Sequence, residues 1–150
     1  MSVRVLVDGD ACPVKEEIYR VAYRHEVAVT IVSNQHLRIP DHPLLSRVVV
    51  DDKFDAADDW IAEQASPRTI VVTADILLAE RCIKGKAIVL TPAGRRFDAA
   101  NIGNAVATRA LMSDLRAGGD IVGGPKPFAK EDRSRFLSSL DEALVRLKRG

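Results

Sequence analysis

The stretch Val3-Arg4-Val5-Leu6-Val7-Asp8-Gly9-Asp10-Ala11-Cys12-Pro13 decides the fold. Residues 3–7 are apolar except for Arg4 and rich in β-branched valine, as in a strand covered on both faces. The run breaks at once into Asp8-Gly9-Asp10. Pro13 then suits the first turn of a helix, and Ile18, Val21 and Ala22 follow at helical spacing. A buried strand, an acidic turn and a helix make the opening of a βα unit.

The same grammar repeats along the chain. Four more apolar runs, 27–32, 47–50, 69–72 and 87–90, read as buried parallel strands. Helical patterns lie between and after them. One carries Ala57, Trp60, Ile61 and Ala65, with Asp55 as its cap; another carries Leu78, Ala79 and Cys82, with Asp75 as its cap. A fourth runs from about 101 to 116 and stops at Gly118-Gly119. A last one starts near Glu131, with Phe136, Leu140, Leu144 and Leu147 as its stripe. The expected fold is one α/β domain over residues 1–150. Helices flank a mainly parallel sheet, and a C-terminal helical extension follows the loop at 118–127.

Composition narrows the class. Hydrophobic residues are 47% and charged residues 29%, which excludes a disordered tail and a coiled coil. A chain of 150 residues buries roughly 70% of its unfolded surface, enough for a core. No apolar run approaches the ~18–20 residues of a membrane span, and the N-terminus lacks a secretory pattern. Cys12 and Cys82 are far apart and form no zinc-type spacing. A reduced, cytoplasmic protein is expected.

Acids fall where strands end. Residues 3–7 lead to Asp8 and Asp10, residues 47–50 to Asp51, Asp52, Asp55, Asp58 and Asp59, and residues 69–72 to Asp75. In an open parallel sheet, ligands bind beyond the C-terminal edge. Carboxylates gathered there raise one another's pKa unless a cation neutralises them. Mg²⁺ or Mn²⁺ suits all-oxygen ligands, and its bound water can be activated for attack. Asp8, Asp10, Asp58 and Asp75 are the leading candidate metal ligands, with Asp55 behind them. An aspartate after a strand is also commonly only a helix cap or turn former.

Charge is divided along the chain. Residues 1–80 carry 8 basic and 14 acidic side chains, residues 81–150 carry 14 and 7, and the net charge is only +1. The basic half offers phosphate contacts. Arg95 and Arg96 follow a strand end, Lys126 lies in the glycine-proline loop, and Arg133 sits near the start of the last helix. Asn34 and Gln35, after the second strand, are further candidates for substrate contact, with His36 beside them as a weaker general base. Aromatic residues are only 5%; Tyr19, Tyr23 and Phe97 are the ones that could stack on bases.

Three motifs together, Asp8-Gly9-Asp10-Ala11-Cys12-Pro13, Phe54-Asp55-Ala56-Ala57-Asp58 and Thr73-Ala74-Asp75-Ile76, with Asn34-Gln35 and Gly123-Gly124-Pro125, resemble the YaiI/YqxD family of bacterial proteins. The resemblance spans essentially the whole chain. It implies a relation to PIN-like nuclease domains, which hold a divalent metal with acids at parallel strand ends and cut RNA. Under it, Asp8 matches the first PIN-type acid and Asp75 the acid of the Thr-x-Asp motif. These two are the expected catalytic residues. Asp10, Asp55 and Asp58 match acids of the narrower family. Leu77 and Lys53 stand where that family tends to carry proline and glycine.

The expected function is a metal-dependent phosphodiesterase or ribonuclease acting on RNA or single-stranded nucleic acid. Two alternatives stay open. Asp8-x-Asp10 after a strand also fits a haloacid-dehalogenase-like phosphatase with Asp8 as nucleophile, although only the isolated aspartates Asp98, Asp114 and Asp120 closely follow the later lysines Lys84 and Lys86. A non-catalytic RNA- or protein-binding module is the other. Cys12 at a helix start invites a thiol nucleophile, but a packed structural thiol is the simpler reading.

Overall fold

The valine-rich runs pair side by side. In the computed structural model, which describes residues 2–51, 56–117 and 128–149, they build one six-stranded sheet. The strands are β1 (Arg4–Asp8), β2 (Ala28–Ser33), β3 (Leu45–Val49), β4 (Thr69–Val72), β5 (Ile88–Leu90) and β6 (Arg96–Phe97). Their order is β3-β2-β1-β4-β5-β6, and every pairing is parallel except β5 with β6. Chain order reverses between β1 and β4, so their C-terminal ends flank the crevice where open α/β sheets bind ligands.

The helices are α1 (Lys15–His25), α2 (Ala56–Gln64), α3 (Ile76–Lys84), α4 (Ile102–Ala117) and α5 (Lys130–Arg149). Side-chain alternation along the strands splits the core into two. Val5, Val7, Ile31 and Val72 face α1 and α5; Leu6, Val32, Val71 and Val89 face α2, α3 and α4. The C-terminal helix is therefore more than an extension. Phe136, Leu140 and Leu144 are fully buried in the first core, and α5 forms a layer with α1.

Two boundaries matter for the site. The first strand, expected over 3–7, runs one residue further because Asp8 pairs with Val32 as its last rung. Asp8 therefore sits on the sheet. The expected strand at 47–50 begins earlier, at Leu45, which pairs with Val29. The strand β6 has no counterpart in the expectations, because two residues carry no periodicity. The caps expected of Asp55 and Gly118-Gly119 lie outside the described residues.

Two glycines hold tight passages. A Cβ on Gly9 would come within 2.7 Å of Ile31 Cγ2, so the short 3₁₀ turn Gly9–Ala11 can press against β2. Gly94 has φ +87°, and a Cβ there would lie 2.6 Å from the Arg135 carbonyl carbon. That packs the turn between β5 and β6 onto α5. Among the described residues, no helix is long and apolar enough to cross a membrane.

Candidate functional site

Asp8 ends β1, and Thr73 follows β4 on the neighbouring strand. The buried Thr73 hydroxyl donates to Asp8 Oδ2 at 2.9 Å and accepts from the Asp75 N–H at 3.0 Å. One hydroxyl therefore fixes both acids. The Asp75 carboxylate caps α3 as expected: its Oδ1 accepts from the N–H groups of Leu77 at 2.9 Å and Leu78 at 3.2 Å. A proline at 77 would lack the first donor. Asp10 projects from the 3₁₀ turn, and its Oδ2 accepts from the Asn34 N–H at 3.1 Å. With its nitrogen turned towards Asp10, the Asn34 amide donates to the same carboxylate.

The electrostatics follow from this gathering. Burial raises the Asp8 pKa most; the Thr73 hydrogen bond works against it, and the charges of Asp10 and Asp75 raise it further. Asp8, Asp10 and Asp75 thus form one coupled patch at the crevice between β1 and β4. By alternation, Asp8 lies on the Leu6 side, towards α2, α3 and α4.

The other predicted residues are distributed around this patch. Asp58, in α2, exerts its charge on the Cys82 thiol of α3, which burial chiefly pushes up to about 12. Asp59 pairs with Arg81 at 2.9 Å, and Asp51 is exposed. Asp55 and Lys126 lie outside the described residues. Asn34 serves Asp10, and the exposed Gln35 accepts from the Ser33 hydroxyl through its backbone carbonyl. His36 is exposed beside it.

The basic candidates separate. Arg95 reaches over the Phe97 ring, 5.1 Å from its centroid, on the α4 side. Arg96 alternates to the opposite face and lines a hollow with Ser139 and Glu142 of α5. Arg133 donates to the Pro13 carbonyl at 2.7 Å and to Glu17 Oε1 at 3.1 Å, and so ties α5 to the start of α1. Tyr19 and Phe97 are 4% and 3% exposed, so neither ring is available to a base. Tyr23 stacks on His42 at 4.3 Å. Cys12 is half-buried, and burial raises its pKa, the reverse of an activated thiol.

Glu17 was not among the residues expected to matter. It pairs with Arg133, and its other oxygen, Oε2, is buried with no hydrogen-bond donor among the described residues. The signal was present: Val14, Glu17, Ile18 and Val21 share one helical stripe, three parts apolar.

The donor set suits a hard divalent cation of low protein coordination. Asp8, Asp10 and Asp75 offer only carboxylate oxygens, and their mutual repulsion favours a neutralising charge. Among the described residues, no three acidic, histidine or cysteine side chains are grouped to hold a metal. A Mg²⁺ held by one or two of these carboxylates, with water and substrate oxygens completing its shell, would not need such a group.

A model of the family described as "Uncharacterized BCR, YaiI/YqxD family" matches residues 6–146. The chain is 67% identical over 147 residues to a UPF0178 protein of Sphingopyxis alaskensis, covering 97% of this chain and 96% of the relative. It is 58% identical over 146 residues to a UPF0178 protein of Jannaschia sp., covering 96% and 94%. A UPF0178 protein of Nitrobacter winogradskyi is 53% identical over 148 residues, covering 99% and 94%. No solved structure matches the chain.

Proposed function

The chain belongs to the YaiI/YqxD family, and from that premise we propose that it is a metal-dependent phosphodiesterase acting on RNA or single-stranded nucleic acid. The observation that carries this reading is the coupled patch itself. A half-buried Asp8 with raised pKa stands with Asp10 and Asp75 at the crevice between β1 and β4. Such a patch repels a phosphodiester unless a cation intervenes, which makes a metal and a phosphate mutually supporting ligands.

Mg²⁺ or Mn²⁺, when bound, supplies an activated water and offsets charge on the phosphate oxygens. The protein's part is positioning. Thr73 occupies Asp8 Oδ2, and among the described residues no donor engages Oδ1. Asp75 spends Oδ1 on the cap of α3 and presents Oδ2. Asn34 orients Asp10 from the end of β2. Asp8 is the primary ligand, with Asp10 and Asp75 acting directly or through water, and Asp58 of α2 is a further candidate ligand. Arg95 contacts the nucleic-acid backbone.

Cleavage of labelled single-stranded RNA with Mn²⁺ tests the reading. Purified protein should cut, the Asp8→Asn/Asp75→Asn variant should not, and EDTA should stop the reaction. Equal cleavage by both proteins would assign the activity to a contaminant. A small phosphate ester hydrolysed in an Asp8-dependent manner, with RNA untouched, would favour the phosphatase.

A further inference from the structure

Beside Asp75 lies a groove of about 490 Å³ between the first turn of α3, the turn before β6 and one face of α4. Ile76, the residue after Asp75, forms one wall. Arg95 and Arg109 reach in from two different elements, Asn104 and Thr108 add polar groups, and Met112 extends the apolar lining. The lining is therefore cationic and polar on some sides and apolar on others.

The two arginines differ from those tied up in surface ion pairs. Arg24, Arg81, Arg133, Arg135 and Arg146 each pair with a carboxylate. Among the described residues, Arg95 and Arg109 have no carboxylate partner. Arg95 is instead held by its stack on Phe97, which leaves its N–H groups for an external anion. An isolated arginine of this kind is ordinary solvated surface. Here two of them converge on one concavity next to an acidic crevice.

The geometry points to this groove as a seat for single-stranded RNA, with a phosphate held by Arg95 and Arg109 and a base against Ile76 and Met112. The inference rests on the phosphodiesterase reading for the direction of the strand, which would run from the groove past Asp75 towards Asp8. The apolar wall selects the single strand, because a duplex keeps its base faces stacked and out of reach. The hydroxyl and amide of Thr108 and Asn104 suit sugar and phosphate oxygens.

Fluorescence anisotropy with a labelled eight-nucleotide single-stranded RNA, in EDTA, tests the seat apart from catalysis. Arg95→Gln/Arg109→Gln should bind about tenfold or more weakly, and its salt slope should flatten by about 0.7 for each phosphate no longer neutralised. Arg24→Gln/Arg146→Gln removes the same charge from α1 and α5 and should stay within about twofold of the parent. Both pairs are exposed, and matched melting curves establish that the variants are folded. An equal loss in the two variants, an unchanged affinity in the first, or no binding by the parent protein would overturn the seat. RNA binding that depends on Arg95 and Arg109 without Mn²⁺-dependent cleavage would overturn only the phosphodiesterase. Asp8-dependent cleavage with unchanged RNA affinity in the double variant would overturn only the groove.

Discussion

The Thr73 hydroxyl donates to Asp8 Oδ2 at 2.9 Å and so joins the ends of β1 and β4 across the point where chain order reverses. The Thr73 hydroxyl oxygen in turn accepts from the Asp75 N–H at 3.0 Å. Thr73→Val keeps the shape and removes both bonds. Stability should fall by about 1–3 kcal/mol, because buried polar partners are left unpaired. Divalent-ion affinity should fall about 10–100-fold, as when a group that orients a metal ligand is removed. Urea unfolding and Mn²⁺ titration calorimetry read the two effects separately.

The raised pKa of Asp8 has a consequence for stability. Its folded pKa lies above the ordinary value of 3.8, so the folded state holds the proton more tightly than the unfolded chain. Stability therefore declines as pH rises from the unfolded value through the folded one. Asp8→Asn removes that penalty and can still accept from Thr73. Its melting temperature should exceed the parent's at pH 7, with the advantage vanishing as pH drops below 3.8. Thermal scans from pH 3 to 7 without divalent ions check the sign. A variant less stable at pH 7 would contradict the strained carboxylate.

Gly9 lets the acidic turn lie against β2. Gly9→Ala places a Cβ 2.7 Å from Ile31 Cγ2 and 3.1 Å from the Val32 carbonyl oxygen. The backbone must move, at about 1–3 kcal/mol for an overpacked site. Asp8 and Asp10 flank this residue, so metal affinity should drop with stability. Gly103→Ala, where an added Cβ meets nothing within 4 Å, is the control and should retain both.

Arg133 ties α5 to the start of α1. Its partner Glu17 is only 12% exposed in its side chain and already has one oxygen without a donor. Arg133→Ala should lower stability by about 1–2 kcal/mol, toward the small end because the arginine itself is 45% exposed. Adding Glu17→Gln should recover part of the loss. RNA affinity should change little, in contrast to Arg95→Gln. A double-mutant cycle in urea, with parallel anisotropy titrations, separates the two roles.

The strand ends were legible because buried parallel strands write themselves as unbroken valine and isoleucine runs. Asp8 and Asp75 follow two such runs, and their convergence required only that β1 and β4 be neighbours, which they are. The arginines were less legible. Arg95 and Arg96 are adjacent in sequence, but on an extended segment adjacent side chains take opposite faces, and the structure separates them. Recognising this needed β6, whose two residues carry no pattern. The role of Asp58 depends on how α2 turns against α3, and the partnership of Arg133 with Glu17 crosses 116 residues. Neither is encoded by local spacing.

A divalent cation at Asp8, supported by Asp10 and Asp75, is the centre of the proposed chemistry. Calorimetric Mn²⁺ titration of the parent protein, Asp8→Asn and Asp59→Asn tests it most directly. Asp59 is exposed and paired with Arg81, so its substitution is a charge-matched control. The parent and Asp59→Asn should bind one Mn²⁺ with equal affinity, and Asp8→Asn should bind at least about tenfold more weakly. Equal binding by all three proteins, or no binding by the parent, would contradict it.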